Sequence, residues 1–110
     1  MLNFDCVGQG DSIFVRTGKT YPKLWNIAKE QDKKHTRMMK DSTIAAAPAD
    51  AEAFFNKHIP TLYFVTTNDY KYLHIPGDVV GTLNPVLFEK LTRLAYLTAF
   101  EVAAGRYTPE

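Results

Sequence analysis

Two residues of types that bind catalytic zinc lie in positions where α/β proteins commonly place their ligand-binding residues. Asp5 comes near the end of a predicted first strand and directly before a glycine-containing turn, and His74 follows a strongly apolar run. Open α/β sheets bind ligands outside the carboxyl ends of their strands, and a carboxylate with an imidazole is a zinc ligand pair. Spacing alone favours a plainer interpretation, which is an ordinary strand-end carboxylate and an ordinary loop histidine.

A few other residues carry chemistry of their own. Asp50 and Asp78 stand beside predicted turns, where a carboxylate either orients a metal ligand or simply begins a helix or a turn. Cys6 is the single cysteine of the chain, so an internal disulfide is excluded. No cationic residue stands beside it in sequence to lower the pKa of its thiol, so Cys6 is predicted to be a small buried apolar side chain rather than a nucleophile. The glycines of 8–10 lack the third glycine of a phosphate-binding loop.

Three segments have the composition of β-strands. Residues 2–7 alternate between two faces and end at a glycine, and residues 12–16 form a second short run joined to the first by glycines that permit a tight turn. Residues 61–67 are almost continuously β-branched or aromatic, which is typical of a strand covered on both faces. The basic stretch 33–41 admits either a short strand or a solvated connection.

Three helices are predicted. The first runs from Pro22 to about residue 34 behind a poor capping residue, Tyr21; the second, over 49–57, is expected to pack Phe54 and Phe55. The third runs from Pro85 to about residue 104, because a capping asparagine precedes the proline and a glycine follows the end. Its predicted buried stripe contains Leu87, Leu91, Leu94, Ala95, Thr98 and Val102, widened by Phe88, Ala99 and Phe100.

Composition limits the class of protein. The 110 residues are 45% hydrophobic and 23% charged, with a net charge of +1, which is the profile of one globular domain without a strong field toward nucleic acid or membrane. Segment 29–40 mixes acids with its bases and lacks stacking aromatics, so nucleic-acid binding is not expected. No transmembrane run and no export signal are visible, and the sequence leaves the cellular compartment open.

Four motifs occur in one order along the chain: residues 3–8 (NFDCVG), 49–54 (ADAEAF), 58–64 (HIPTLYF) and 74–78 (HIPGD). In that order they resemble the C-terminal half of the co-catalytic dizinc exopeptidases, the twenty-eighth metallopeptidase family, which includes bacterial leucyl aminopeptidases. The resemblance covers essentially the whole chain. It implies a zinc-dependent aminopeptidase that hydrolyses N-terminal peptide bonds of a peptide substrate with a dizinc-activated water.

The resemblance also implies roles for single residues. Asp5 matches the strand aspartate that ligates one zinc ion, and His74 matches the loop histidine that ligates the other. Asp78 and Asp50 match acids that support the ligands rather than bind metal. The residues implied to line the pocket for the substrate's N-terminal side chain are Asn68, Tyr70 and Tyr72.

The chain departs from the family pattern in ways that bear on activity. The His-x-Asp motif and the Glu-Glu pair, which supply further ligands and the general base, do not occur in this sequence; in the family they lie N-terminal to the strand that opens it. A catalytic zinc site needs three protein ligands and an open position for water, so the chain alone is expected to be inactive, with no catalytic base and an incomplete zinc ligand set. His58 also replaces a family glycine, at a cost of about 1 kcal/mol if its backbone is left-handed.

The expected architecture is a three-layer α/β fragment of a zinc-exopeptidase-like fold, with a mixed, largely parallel sheet and flanking helices. Residues 1–110 are expected to form one domain, the C-terminal portion of a zinc peptidase catalytic domain. The alternative is a stand-alone noncatalytic half-domain that binds a protein or peptide. A truncated half-domain is expected to leave a sheet edge uncovered, through which it could self-associate, whereas a clean monomer would favour the stand-alone alternative.

Overall fold

A central four-stranded sheet organises the computed structural model, which describes residues 1–66 and 71–109. Within these residues the strands are β1 (Leu2–Phe4), β2 (Ile13–Arg16), β3 (Met39–Ile44) and β4 (Leu62–Thr66), in the spatial order β1-β4-β2-β3. β1 pairs with β4 and β2 with β3 in parallel, whereas β2 and β4 are antiparallel. The sheet is therefore mixed and largely parallel, as the sequence predicts.

β4 is the most buried strand of the described chain, and all five of its residues are buried. It lies between two other strands, so its backbone is hydrogen-bonded on both sides and its side chains alternate between the two faces. Leu62 and Phe64 belong to the larger apolar core, while Tyr63 and Val65 belong to a smaller cluster on the opposite face. This explains why segment 61–67 lacks the polar alternation of a half-exposed strand.

Helices cover both faces of the sheet. Helix α1 (Pro22–Gln31) and helix α3 (Pro85–Glu101) bury their apolar stripes in the larger core, and helix α2 (Asp50–Phe55) places Ala51 in the smaller cluster. α1 continues as a π-helical turn, Asp32–Thr36, and α3 as another, Val102–Arg106. The three layers confirm the predicted α/β class. None of the described helices combines the length and apolarity that a membrane span requires.

The start of α3 is fixed by a side-chain cap. Asn84 Oδ1 accepts hydrogen bonds from the backbone N–H groups of Val86 (3.1 Å) and Leu87 (3.2 Å), which satisfies donors that no helical carbonyl can reach. The Asn84 amide also donates to the carbonyl of Gly10 (3.1 Å), and its backbone N–H donates to that of Gly8 (2.6 Å). The predicted cap is confirmed, and it also binds α3 to the segment between β1 and β2.

Several local predictions need correction. β1 ends at Phe4 rather than at residue 7, because Cys6 adopts a left-handed backbone (φ +53°) that interrupts the extended chain. The strands β1 and β2 are not adjacent, since β4 lies between them and the glycine-containing segment spans it. The stretch predicted as a strand or a connection contributes the π-helical turn and the first residues of β3.

Some predicted core aromatics lie at the surface. Phe54, Phe88 and Phe100 have exposed fractions of 40%, 43% and 56%, whereas Phe55 packs on the core with its ring nearly perpendicular to that of Tyr21. The buried face of α3 is limited to Leu87, Leu91, Leu94 and Thr98. α3 therefore packs on the sheet through a narrow stripe of side chains. Phe88 and Phe100 lie outside this stripe on the helix surface and are not buried against the sheet.

Candidate metal-binding edge of the sheet

Asp5 lies at the carboxyl end of β1, directly after the last paired residue of the strand. Its backbone N–H donates to the carbonyl of Phe64 (3.3 Å), and the N–H of Thr66 donates to the carbonyl of Cys6 (3.3 Å). The segment therefore stays beside β4 for two residues beyond the strand. Because β1 and β4 are parallel, the chain leaves both strands at the same edge of the sheet, and the Asp5 side chain is exposed there.

The Asp5 carboxylate has a donor at each oxygen. The hydroxyl of Tyr63 donates to Oδ2 (3.2 Å), and the thiol of Cys6 lies 3.5 Å from Oδ1. Burial and the neighbouring Asp5 carboxylate together raise the pKa of Tyr63 to about 12. The phenol therefore stays protonated and remains a hydrogen-bond donor to Asp5 across the physiological pH range.

Cys6 is half-buried and its thiol is not activated. Burial, followed by the charge and hydrogen bond of Asp5 and the charge of Asp78, raises the pKa of the Cys6 thiol above its ordinary value. A thiol with a raised pKa is a poor nucleophile at neutral pH. This agrees with the prediction that Cys6 packs rather than reacts.

The loop that carries His74 and Asp78 is bound to the same edge through Gln9. The Gln9 amide donates to Asp78 Oδ1 (3.3 Å) and to Thr82 Oγ1 (2.7 Å). A small cavity of about 60 Å³ lies between the two segments. It is lined by Cys6, Val7, Gln9, Leu73, Asp78 and Leu83. The structure thus brings Asp78 close to Cys6, the residue that directly follows Asp5 in the chain.

His74 lies in this loop beside the cavity-lining Leu73, and its side chain is exposed. Its backbone is left-handed (φ +61°), a conformation that is uncommon outside glycine and asparagine. Within residues 1–66 and 71–109, no hydrogen bond joins the His74 imidazole to Asp5. The two predicted ligands therefore lie in segments that meet at this edge but do not hydrogen-bond to each other, and their roles as ligands stay predictions.

Asp5 and His74 have side chains of the types that bind zinc, but two ligands are fewer than a zinc site requires. Carboxylate oxygen and imidazole nitrogen are ordinary zinc donors, and both side chains are exposed. Among the described residues, however, no three His, Cys, Asp or Glu side chains lie close enough together to hold a metal ion. Asp5 and His74 would therefore supply part of a zinc ligand set, and tight metal binding requires further ligands.

The remaining predicted site residues lie elsewhere or are only partly placed. Asp50 begins α2 and is exposed, without a side-chain capping bond at that terminus. Tyr72 is half-buried against Gly77, where an added Cβ would lie 3.4 Å from the ring, and Lys71 stands 5.0 Å from the ring centroid. Asn68 and Tyr70 fall outside the described residues. The role of Asp50 in supporting the metal ligands stays a prediction. The roles of Asn68, Tyr70 and Tyr72 in lining the substrate pocket also stay predictions.

Two residues at this edge were not singled out from the sequence. Tyr63 is hidden inside an apolar strand, and Gln9 looks like an ordinary turn residue. A tyrosine hydroxyl in a buried strand does need a hydrogen-bond partner, which is the one signal that could have marked Tyr63. Its partner depends on the alignment of β1 with β4, which sequence spacing does not give.

A larger groove lies beside β3, the outer strand farthest from β1 in the sheet. Its volume is about 740 Å³, and it is lined by Asn26, Lys29, Glu30, Asp32, Lys33, Arg37, Met39 and Asp41. The strands β4 and β2 lie between β3 and β1, so the groove is separated from Asp5 by two strands. Its lining mixes both signs of charge and contains none of the predicted ligands.

Solved structures of two bacterial aminopeptidases share this fold. One is titled "Aminopeptidase from Aneurinibacillus sp. strain AM-1", with a TM-score of 0.78, 14% identity, and 92% of this chain covered against 25% of that chain. The other is the Legionella pneumophila LapA aminopeptidase, with a TM-score of 0.78, 21% identity, and coverages of 93% and 30%. This chain therefore spans less than a third of the length of either protein.

The sequence itself carries the family assignment. No curated protein matches the chain. The model of Peptidase family M28 matches residues 1–99, a span that includes all four sequence motifs and every element from β1 to nearly the end of α3. This chain belongs to Peptidase family M28.

Proposed function

We propose that this chain forms part of a zinc aminopeptidase catalytic domain, to which it contributes Asp5 and His74 as metal ligands. The observation that carries the proposal is the meeting of β1 and the 71–84 loop at one edge of the sheet, held by Gln9. Family M28 is generally zinc-dependent, and the two fold neighbours are aminopeptidases. A peptide with a free amino terminus is the substrate class that this relationship supports.

The residues of this chain have separable tasks in that proposal. Asp5 and His74 would hold the metal, one ion each, and Asp78 would add negative charge beside Cys6. When bound, zinc supplies a Lewis acid and an activated water. Tyr72 packs on Gly77 in the loop that carries His74, and this side chain would help to bound the substrate's first side chain.

We further propose that residues 1–110 are one portion of the catalytic domain and are inactive by themselves. The described residues offer no cluster of three metal-binding side chains, and a catalytic zinc needs three. The chain also covers only 25% and 30% of the two aminopeptidases that it resembles in fold. Leucyl-p-nitroanilide with added zinc should therefore not be hydrolysed, and turnover by the purified chain would contradict this part of the proposal.

Paramagnetic NMR can test the ligand assignment even for weak binding. We expect Co²⁺ at millimolar concentration to broaden the amide resonances of residues 4–9 and 73–78. Asp5→Asn should remove the broadening around residue 5, and His74→Asn should remove it around residue 74. The matched controls are Asp41→Asn and His35→Asn, which are exposed and lie in β3 and in the π-helical turn before it, with two strands between β3 and β1. Broadening that is absent, or that persists in the Asp5 and His74 variants, would refute the assignment.

The uncovered edges of the sheet support a second candidate, a noncatalytic module that associates with a second copy of itself. Among the described residues, β1 and β3 each pair on one side only, and a strand with unpaired backbone groups is a template for another strand. Light scattering should then show a concentration-dependent dimer. A monomer at all concentrations would remove this candidate.

A further inference from the structure

We propose that Tyr63 is a positioning residue for Asp5, and that its hydroxyl fixes the orientation in which the carboxylate is presented to a metal ion. This inference rests on the proposed function of Asp5 as a ligand. Tyr63 would not touch the metal or the substrate. Its contribution would be to hold one carboxylate oxygen so that the other faces the site.

The alignment of two parallel strands places Tyr63 beside Asp5. Asn3 of β1 pairs with Tyr63 of β4, and residues two apart on a strand share a face. Asp5 therefore follows Asn3 on the face that carries the Tyr63 side chain. The hydroxyl of Tyr63 reaches Asp5 Oδ2 at 3.2 Å across 58 residues of sequence.

The Tyr63 ring is itself held from the other side. Arg16 of β2 pairs with Tyr63, and its guanidinium lies 5.9 Å from the ring centroid. Arg16 is anchored in turn by a hydrogen bond to the carbonyl of Ala45 (3.1 Å). Tyr63 is only 6% exposed, so its ring has little freedom and its hydroxyl is a fixed donor.

The two oxygens of Asp5 consequently differ. Oδ2 accepts from a fixed phenol, whereas Oδ1 has the Cys6 thiol at 3.5 Å, and a thiol is a weak donor. A cation that approaches the exposed carboxylate displaces the weaker partner at the lower cost. Tyr63 thus selects Oδ1 as the ligating atom and prevents rotation of the carboxylate about its side-chain torsions.

The first test measures the Asp5 side chain without any metal. Three-bond couplings between Hα and Hβ report whether χ1 occupies one staggered well or averages over several. We expect one rotamer in the unaltered chain and averaged couplings in Tyr63→Phe. Tyr21→Phe is the matched control, because Tyr21 is 7% exposed and packs on the other face of the sheet. Unchanged Asp5 couplings in Tyr63→Phe, or averaged couplings in the unaltered chain, would overturn the inference.

The second test measures the affinity for Co²⁺ from the same broadening experiment. Loss of an outer hydrogen bond to a ligand weakens metal binding by roughly 10–100-fold, so we expect about tenfold weaker binding near residue 5 in Tyr63→Phe and no change near His74. Equal weakening at both positions would indicate a general loss of structure and would count against positioning. If Asp5→Asn leaves Co²⁺ binding intact, the ligand role fails, and the couplings still decide whether Tyr63 orients Asp5.

Discussion

At the scale of single residues, neutral side-chain donors surround the carboxylates at the edge that carries Asp5. Tyr63, Cys6 and Gln9 each donate to a carboxylate there, Tyr63 and Cys6 to Asp5 and Gln9 to Asp78. Neutral donors hold both carboxylates without neutralising them. The negative charge of this edge therefore remains available to a cation.

Cys6 gives a direct readout of that negative charge. Burial and then Asp5 raise the pKa of its thiol, so alkylation by iodoacetamide at pH 8 should be slower than that of an unstructured cysteine. Asp5→Asn should accelerate the reaction by lowering the thiol pKa, and Asp41→Asn should not. Mass spectrometry of the alkylated fraction against time and pH measures the rate. A Cys6 that reacts as fast as a free thiol would contradict the structure.

Tyr63 predicts a loss of stability in alkaline solution. Its pKa is raised to about 12 in the folded chain, above the ordinary value near 10. The contribution to stability is therefore complete below about pH 10 and is lost as the pH rises toward 12. Urea unfolding across this range should show a decline that is smaller in Tyr63→Phe than in the unaltered chain. Equal declines in the two proteins would rule out Tyr63 as the cause.

At the scale of elements, helix ends carry much of the local stability. α2 ends in a Schellman motif: the N–H of Ile59 donates to the carbonyl of Phe54 (3.1 Å), and that of His58 donates to Phe55 (2.9 Å). His58 occupies the left-handed position of this motif, with φ +57°. The sequence analysis made the cost of His58 conditional on a left-handed backbone at this position. The structure confirms that condition.

Replacing His58 by glycine should stabilise the chain. A left-handed backbone costs a residue with a Cβ about 1 kcal/mol, so His58→Gly should raise the free energy of unfolding by roughly that amount. Asn56→Gly is the matched control, because Asn56 is right-handed (φ −67°) and glycine there should destabilise. Urea denaturation measures both. A destabilised His58→Gly would show that the imidazole makes compensating contacts.

Removing the cap of α3 should have a larger effect than removing an ordinary helix asparagine. Asn84→Ala loses the bonds to two helix N–H groups and the bond to Gly10, and loss of such a cap costs about 1–2 kcal/mol. Asn26→Ala, in the exposed face of α1, should change stability by less than about 0.5 kcal/mol. Thermal unfolding, monitored by circular dichroism, compares the stabilities of the two variants. Equal unfolding midpoints would contradict a stabilising role for the Asn84 cap.

At the scale of the whole molecule, the two layers on either side of the sheet are unequal. Among residues 1–66 and 71–109, the α1/α3 side holds ten buried apolar residues and the α2 side three. Stability should therefore depend chiefly on the larger core. The aromatic residues on the outer surface of α3, including Phe100 at 56% exposure, contribute apolar surface that the described chain does not cover.

A pair of substitutions on α3 tests this division. Leu94→Ala removes a fully buried side chain and should cost about 2–5 kcal/mol. Phe100→Ala removes a larger side chain from the surface of the same helix and should change stability by less than about 0.5 kcal/mol. Urea unfolding at low protein concentration separates the two effects. A strong destabilisation by Phe100→Ala would mean that this surface is covered in solution.

The sequence by itself determined the features that depend on neighbouring residues. Asn84 and Pro85 begin a helix, residues 61–67 specify a buried strand, and the ordered motifs indicate the family, because capping, periodicity and motif spacing are local properties. The tertiary structure alone decided that β4 lies between β1 and β2. It also paired Tyr63 with Asp5 and Gln9 with Asp78. These contacts join residues at least 58 positions apart, and their alignment is set by packing of the whole sheet against its helices rather than by any sequence spacing.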